Sequence, residues 1–185
     1  MKGHESVTVL RLGHRPGRDE RMTTHVGLTA RALGADRVVM AGAAGSRTDT
    51  IVDITDRFGG PFGVETTDEP RRYIRDFEGA VVHLTMYGEP IQEVEADVRA
   101  AHDDGPLLVV VGAEKVPFEV YERADWNVGV TNQPHSEVAS LAVFLDRLYE
   151  GTELDREWED PDRVVVPKAT GKRVVDPDDA ADEGS

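Results

Sequence analysis

Small and hydrogen-bonding residues are concentrated in three short segments, each of which directly follows a run of β-branched or other apolar residues. The segments are LTMYGEP (84–90), GAEKVP (112–117) and TNQPHSE (131–137). Glycine and alanine let a ligand approach the backbone, and amide, imidazole and hydroxyl groups at a helix start can hydrogen-bond to it. Because open α/β sheets bind ligands at the carboxyl ends of their strands, these segments predict a binding site in the second half of the chain.

Each of these segments also has a purely structural explanation. Gly112 could serve only a tight turn between a strand and a helix, and Met86 is interpreted as packing rather than as a ligand contact. Asn132 and Ser136 could be helix caps, and His135 could be an ordinary surface histidine. The residue types alone leave both interpretations open.

Several common types of site lack their sequence patterns. No His-x-x-x-His spacing and no clustered acidic loop occurs, so no metal site is predicted. Neither a G-x-G-x-x-G nor a P-loop pattern is present, which removes the usual anchor for dinucleotides and nucleoside triphosphates. The chain contains no cysteine, which excludes disulfides and thiolate ligands.

Alternating strand and helix patterns must position the three segments, and such alternation predicts a parallel sheet covered by helices. The predicted strands are VTVLRL, RVVMAG, FGVET, AVVHLTM, LLVVVGA and WNVGV. The predicted helices between them are THVGLTARALG, TDTIVDITDRFG, PRRYIRDFEG, PIQEVEADVRAAHDDG and PFEVYERA. A sixth helix is predicted after Ser136, a natural N-cap, because apolar residues then recur on one face: Val138, Leu141, Ala142, Leu145, Leu148 and Tyr149.

The chain has 185 residues, which is the length of one ordinary domain with a short extension. Residues 1–151 are predicted as the α/β domain, and RVVVPKATGKRVV predicts a β-hairpin in an extension over 152–175. The acidic stretch 176–185 is predicted to be disordered. The amino terminus lacks the apolar run of a signal peptide and no segment is long enough to span a bilayer, so a cytoplasmic location without membrane contact is expected.

The formal net charge of −15 argues against a nucleic-acid partner, because phosphate binding usually shows as a basic domain. The acidic residues are scattered over nearly every segment, however, and only four of the 21 basic residues are lysines. That pattern is typical of proteins from salt-loving organisms, and a halophilic archaeon is the expected source. One segment is locally basic, and its arginines are Arg11, Arg15, Arg18, Arg21 and Arg31.

Five strings, in a fixed order along the chain, carry a family resemblance: LRLGHRPGRDERMTTHVGLTARALGAD (10–36), GGPF (59–62), VHLTMYG (82–88), VGAEKVP (111–117) and NQPHSEVASLAVFLDRLYEG (132–151). Over roughly residues 7–175 they resemble the archaeal tRNA cytidine 2′-O-methyltransferase family, which methylates position 56 in the TΨC loop. The resemblance implies a SPOUT enzyme that uses S-adenosylmethionine, acts on tRNA and forms a homodimer. It also implies a six-stranded α/β domain with helices on both faces and a deep trefoil knot at its carboxyl end, which periodicity alone would not predict.

The resemblance further implies that three knot loops hold the cofactor. These loops correspond to the three segments described above, and no metal is implied. The implied cofactor residues are Leu84, Gly112, Ala113, Glu114, Lys115, Val116, Val130, Thr131, Asn132, Gln133, Pro134, His135, Ser136 and Glu137. Thr131 departs from the family pattern, which has a glycine before the Asn-Gln-Pro-His run.

Methyl transfer to a ribose hydroxyl depends mainly on positioning, and a guanidinium near the developing alkoxide would lower the barrier. Related SPOUT ribose methyltransferases use an arginine from the first conserved block, where this chain offers Arg15, Arg18 and Arg21. Arg21 ranks first because it lies next to the predicted helix start, although a solvated or phosphate-contacting face is the alternative. The asparagine common in the first motif of the superfamily is not evident, and its neighbourhood contains His14, Thr24 and His25.

Two other functions remain open at this stage. A knotted tRNA-binding protein without catalysis would differ by failing to bind S-adenosylmethionine. A SPOUT enzyme that methylates a base nitrogen would differ in the modified atom, which nucleotide mapping identifies.

Overall fold

A parallel six-stranded sheet forms the centre of the molecule. In the computed structural model, residues 6–13, 20–42, 45–112 and 115–181 are described. The strands are β1 (Val7–Leu12), β2 (Arg37–Ala41), β3 (Gly63–Thr67), β4 (Ala80–Pro90), β5 (Leu107–Gly112) and β6 (Trp126–Gly129). Their order is β3-β2-β1-β5-β4-β6, and every neighbouring pair is parallel. The predicted parallel α/β architecture is therefore confirmed.

Six helices connect or follow these strands. They are α1 (Glu20–Ala32), α2 (Gly45–Phe58), α3 (Pro70–Asp76), α4 (Ile91–Asp104), α5 (Phe118–Arg123) and α6 (Glu137–Tyr149). The predicted N-cap of α6 is confirmed, because the Ser136 hydroxyl accepts a hydrogen bond of 3.2 Å from the backbone N–H of Ala139. This cap satisfies one of the backbone donors that a helix start leaves unpaired.

Helices cover both faces of the sheet. Along β1, Val7 and Val9 pack into one core with residues of α1, α2, α4 and α6, whereas Leu10 packs into a second core with residues of α3 and α5. Side chains of a strand alternate between the two faces, so a strand buried on both sides has a continuous apolar sequence. This explains runs such as LLVVV in β5, whose members divide between the two cores.

The segment after the fourth predicted strand is part of a longer strand rather than a free loop. Strand β4 continues to Pro90, and its pairing with β6 changes register between Leu84 and Glu89. The residues between these two positions form a bulge, which re-aims side chains at the edge of a sheet. A Cβ at Gly88 would overlap the Asn127 backbone, so the bulge can press this closely against β6 only with glycine.

A C-terminal extension packs against the sheet domain beside α2. It contains a 3-10 helix (Thr152–Asp155) and two short antiparallel strands, β7 (Val164–Val165) and β8 (Val174–Val175). Gly60 and Glu159 exchange two backbone hydrogen bonds of 2.9 Å. The guanidinium of Arg31 lies 4.1 Å from the ring centre of Trp158, which fixes the extension through a cation–π contact.

The acidic stretch 176–185, for which the sequence predicts disorder, begins with a short helix. A one-turn helix, α7 (Pro177–Ala181), occupies its first half, and residues 182–185 lie outside the described residues. Proline is favoured at the first helical position, and Asp178 and Asp179 complement the helix dipole in the first turn. In the described part of the chain, no helix combines the length and the apolar character needed to cross a membrane.

Candidate active site

A cavity of about 250 Å³ lies at the carboxyl ends of β4 and β5, next to the start of α6. All three predicted segments contribute to its wall, together with α5. Its lining residues are His83, Leu84, Thr85, Met86, Gly112, Lys115, Val116, Tyr121, His135, Ser136, Glu137 and Ser140. The fold thus gathers at one place the segments that the sequence marked as a binding site.

The structure divides the predicted cofactor residues into three groups. Those that line the cavity are Leu84, Gly112, Lys115, Val116, His135, Ser136 and Glu137. Those in or directly before the third segment that do not line it are Val130, Thr131, Asn132, Gln133 and Pro134. Ala113 and Glu114 lie outside the described residues. Met86, interpreted from the sequence as packing, is also one of the lining residues.

Asn132 fastens the third segment to the bulge of β4. Its amide nitrogen donates hydrogen bonds to the carbonyl oxygens of Met86 at 2.6 Å and Gly88 at 3.1 Å. Asparagine suits this position because its two amide hydrogens can serve two carbonyl groups at once. Asn132 therefore supports the cavity wall rather than facing the cavity.

Gly112 is needed for packing within the second segment. A Cβ at this position would overlap the Cγ2 atom of Val116, and Lys115 between them has a left-handed backbone with φ of 60°. The Val116 side chain therefore lies over Gly112. The sequence interpretation assigned this space to a ligand, but the structure fills it with a side chain of the same loop.

His83 is a buried histidine that sequence reasoning missed. It is fully buried on β4 and lines the cavity, and its Nδ1 atom lies 2.9 Å from Oδ1 of Asn127. The Asn127 amide nitrogen donates to the carbonyl oxygen of Tyr121, so its Oδ1 atom is an acceptor and Nδ1 of His83 carries the hydrogen. Nε2 is then an acceptor, and among the described residues it has no hydrogen-bond partner.

The environment of His83 keeps its ring neutral. Burial lowers the pKa of His83 below the ordinary value for histidine, and the hydrogen bond with Asn127 offsets part of this effect. Tyr121 packs edge-on against the ring with a centroid distance of 4.6 Å. An unpartnered acceptor at the wall of a cavity is the kind of group that a bound donor would satisfy.

Arg11 connects the sheet to the start of α6 beneath the cavity. Its side chain is 2% exposed, and its Nε atom lies 2.9 Å from Oε2 of Glu137. A second nitrogen, Nη1, donates to the Gly13 carbonyl at 2.9 Å and to the Thr23 hydroxyl at 2.7 Å. One buried guanidinium therefore joins the end of β1, the first turn of α1 and a carboxylate that lines the cavity.

The predicted basic segment is less basic at the surface than its sequence indicates. Arg11 and Arg31 are buried and bind groups of the chain itself, the latter through a 2.5 Å hydrogen bond to the Gly59 carbonyl. Arg21 is exposed in the first turn of α1, whereas Arg15 and Arg18 lie outside the described residues. His25 is exposed on α1, and His14 lies outside the described residues.

A larger hollow of about 600 Å³, lined by residues that include Thr8, Arg37 and Arg72, is a weaker candidate for the ligand-binding site. Most of its charged lining residues form ion pairs: Arg72 lies 3.3 Å from both Glu69 and Asp76, and Arg37 lies 2.9 Å from Glu65. In the described residues, no group of three or more histidines and carboxylates could hold a metal ion.

Comparison with known proteins decides the family. Residues 58–175 match the model of a family described as tRNA ribose 2′-O-methyltransferase, aTrm56. The chain belongs to this family. The family predicted from the five sequence blocks is thereby confirmed.

Relatives of this aTrm56 family member match it over nearly their whole length. The tRNA (cytidine(56)-2′-O)-methyltransferase of Haloarcula marismortui is 82% identical over 179 residues, which cover 97% of this chain and 99% of the relative. The proteins of the same name from Natronomonas pharaonis and Methanocaldococcus jannaschii are 75% and 52% identical, over 94% and 91% of this chain and 97% and 96% of the relatives.

Solved structures show the same fold at low sequence identity. A crystal structure of an RNA 2′-O ribose methyltransferase gives a TM-score of 0.58 at 16% identity and covers 81% of this chain and 58% of that one. The TrmH/SpoU tRNA modifying enzyme of A. aeolicus gives 0.54 at 16% identity and covers 81% and 76%. These likenesses place the aTrm56 sheet among the SpoU and TrmH methyltransferase folds.

Proposed function

We propose that this protein transfers a methyl group from S-adenosylmethionine to the 2′-hydroxyl of cytidine 56 in tRNA. The observation that carries the proposal is the cavity formed by the three segments, in a chain 82% identical to an enzyme of that name. The SpoU methyltransferase AviRb from Streptomyces viridochromogenes was crystallised with AdoMet and has a TM-score of 0.53 to this chain at 14% identity, covering 80% of it and 58% of AviRb.

The chemistry of the cavity wall fits S-adenosylmethionine. That cofactor carries an amine and hydroxyl groups as donors, and the Nε2 atom of His83 is an acceptor without a partner among the described residues. When bound, S-adenosylmethionine supplies an electrophilic methyl group. Leu84, Gly112 and Ser136 would surround it, together with the other lining residues of the second and third segments.

The residues of the protein contribute mainly orientation and charge. We propose that one arginine from the set Arg15, Arg18 and Arg21 contacts the ribose hydroxyl and favours the developing alkoxide. Arg21 is the described member of this set, and it is exposed and free to reach an RNA backbone. The neighbouring Thr23 is held by Arg11, which fixes the first turn of α1 relative to the cavity.

Methylation of an unmodified archaeal tRNA transcript, followed by nucleotide mapping, tests the function. We expect label from S-adenosylmethionine at the ribose of cytidine 56, and no label when that nucleotide has a 2′-deoxyribose. Label on a base nitrogen would contradict the proposal, and so would binding of S-adenosylmethionine without any transfer.

For Arg21→Ala we expect kcat to fall about tenfold or more, while the affinity for S-adenosylmethionine stays unchanged, because the guanidinium acts in the transition state. Arg57→Ala on α2 is the matched control, since Arg57 is also an exposed helical arginine. If alanine variants at all three candidate positions keep normal kcat at saturating tRNA, the arginine proposal is wrong. His14 or His25 would then be the next candidates.

We further propose that two copies associate through α1 and α6. The apolar face of α6 does not by itself indicate a dimer, because its residues Leu141, Leu145 and Leu148 are buried within the chain itself. A hollow of about 480 Å³ between the two helices is nevertheless lined mainly by apolar side chains: His25, Leu28, Thr29, Ala32, Leu33, Val138 and Ala142.

Ala142→Arg should convert the dimer to a monomer and lower methylation, because a charge cannot be buried unpaired in this hollow. Light scattering in molar salt measures the change. A wild-type protein that is monomeric at 20.3 kDa and fully active would contradict the dimer.

The knot and the domain limits complete the proposal. We infer that residues 1–151 form a SPOUT domain with a trefoil knot at its carboxyl end, that 152–175 form an extension, and that the protein acts in the cytoplasm. The likeness to SpoU and TrmH structures supports the SPOUT domain. The Asn132 hydrogen bonds, which tie the third segment to the first, support the arrangement of the proposed knot loops.

A further inference from the structure

Two exposed aromatic side chains belong to the segments that form the cavity. Tyr87 is 77% exposed in the bulge of β4, directly after Met86, and Phe118 is 72% exposed at the start of α5. The other large hydrophobic side chains that are exposed in the described part of the chain are all aliphatic. Exposed aromatic rings therefore occur at this edge of the molecule, where the cavity opens.

A network of contacts links the two rings to the cavity wall. Phe118 stacks on Tyr121 with a centroid distance of 6.3 Å and an interplanar angle of 21°. The Tyr121 hydroxyl lies 3.2 Å from Oγ1 of Thr85, and the same oxygen accepts a 3.4 Å hydrogen bond from the backbone N–H of Tyr87. Both Tyr121 and Thr85 line the cavity, so the Phe118 ring and the Tyr87 backbone are held relative to it.

The Phe118 ring also forms the outer end of an aromatic column. The buried His83 ring contacts Tyr121 edge-on, and Tyr121 in turn stacks on the exposed Phe118. A ring held from below in this way presents its outer face to a partner at little further entropic cost. Such a face suits a flat, unpaired nucleobase, since stacking needs an open π-face on both partners.

Charge around the rings favours a base rather than a phosphate as the partner. Exposed carboxylates occur nearby in the sequence at Glu89, Glu119 and Glu122, of which Glu119 pairs with Arg71 at 3.7 Å, and the whole chain has a formal net charge of −15. Contacts with phosphates depend on positive charge and weaken steeply with salt. Stacking of a base on an aromatic ring does not depend on positive charge. Salts that strengthen apolar association therefore do not weaken this stacking.

We propose that Tyr87 and Phe118 form a base-stacking surface, which holds the unpaired base of the target nucleotide while its ribose lies in the cavity. The proposal rests on the proposed function, and in it the target nucleotide leaves its stack in the folded RNA as its ribose enters the cavity. A base that has left its stack is stabilised by new stacking partners on the protein.

Phe118→Ala and Tyr87→Ala test this surface. For each variant we expect the KM for tRNA to rise about 5- to 100-fold, as for the loss of one base–aromatic contact, with the S-adenosylmethionine affinity unchanged. Phe118→Trp and Tyr87→Phe retain a ring and should keep a KM close to that of the wild type. Val52→Ala, which trims an exposed apolar side chain on α2, is the control for a general loss of apolar surface.

A fluorescent cytidine analogue at position 56 of the tRNA reports stacking directly. Its emission would not change if Phe118 and Tyr87 only stabilised the fold. Stacking should quench its emission when the wild-type protein binds the tRNA, and Phe118→Ala should abolish the quenching. Unchanged KM and unchanged quenching in both alanine variants would overturn the stacking surface, whether or not methylation occurs. Quenching that depends on Phe118, without methylation by the wild type, would retain the surface and reject the proposed function.

Discussion

Arg11→Met should lower the free energy of unfolding by about 3–5 kcal/mol, because it leaves the Glu137 carboxylate without its buried partner. Arg11 is 2% exposed and Glu137 is 19% exposed, so water reaches this pair poorly. The substitution also removes the hydrogen bonds to Gly13 and Thr23, whose acceptors lose a charged donor. Denaturant unfolding of the two proteins at the same salt concentration measures the difference.

The pair between Arg37 and Glu65 provides a matched control. Its nitrogen–oxygen distance is also 2.9 Å, but its side chains are 45% and 48% exposed. Exposed pairs contribute about 0–1 kcal/mol, so Arg37→Met should change stability by no more than this. The double variant Arg11→Met with Glu137→Met should recover part of the loss, because it also removes the carboxylate that has lost its contact with Arg11. Equal effects at Arg11 and Arg37 would show that burial of the first pair has no energetic consequence.

Arg11 also has a functional consequence if the cavity binds S-adenosylmethionine. Glu137 lines the cavity and begins α6, and Arg11 fixes its carboxylate through both Nε and Nη2. Loss of this anchor should raise the dissociation constant for S-adenosylmethionine in protein that is still folded. Arg37→Met, which lies away from the cavity, should leave the dissociation constant unchanged.

Arg11 and His83 could not be recognised as site residues from the sequence. Each occurs inside a strand pattern, VTVLRL and AVVHLTM, and a strand pattern predicts only which face a residue occupies. The partner of Arg11 is 126 positions away, and Asn127 is 44 positions from His83. Only the order of strands in the sheet brings such partners together, and that order is not a property of local spacing.

The strands and helices themselves were predictable because their patterns depend on residues close together in the sequence. Strand β1 has the predicted limits, and the Ser136 cap was found because strand alternation and helix capping depend on neighbouring residues. The continuation of β4 to Pro90 was not predictable, since it requires pairing with β6 after a change of register. The one-turn helix at Pro177 was missed because composition indicated disorder while its first turn has favourable helix-start residues.

Residue types alone identified the three segments, but the contacts that each of their residues makes are known only from the structure. Asn132 was expected to bind a ligand because of its amide, yet that amide is used by the carbonyl groups of the β4 bulge. Gly112 was expected to make room for a ligand, yet Val116 occupies the space beside it. At both positions the residue type indicates a close contact, but only the structure identifies the group that makes this contact.

Gly112→Ala should therefore raise the dissociation constant for S-adenosylmethionine about 5- to 150-fold, because the new methyl group displaces Val116 and the second segment with it. Isothermal titration measures the constant. Gly105→Ala is the matched control, since a Cβ at Gly105 meets no atom within 4 Å and its φ of 179° is extended backbone. That variant should bind normally.

A second substitution distinguishes packing from ligand contact at the same site. If Gly112 is needed for Val116, the double variant Gly112→Ala with Val116→Ala should regain much of the affinity, because the overlapping Cγ2 atom is gone. If the cofactor itself approaches the backbone of Gly112, the double variant should bind as poorly as the single one. Normal binding by Gly112→Ala alone would contradict both explanations, and with them the placement of S-adenosylmethionine against the second segment.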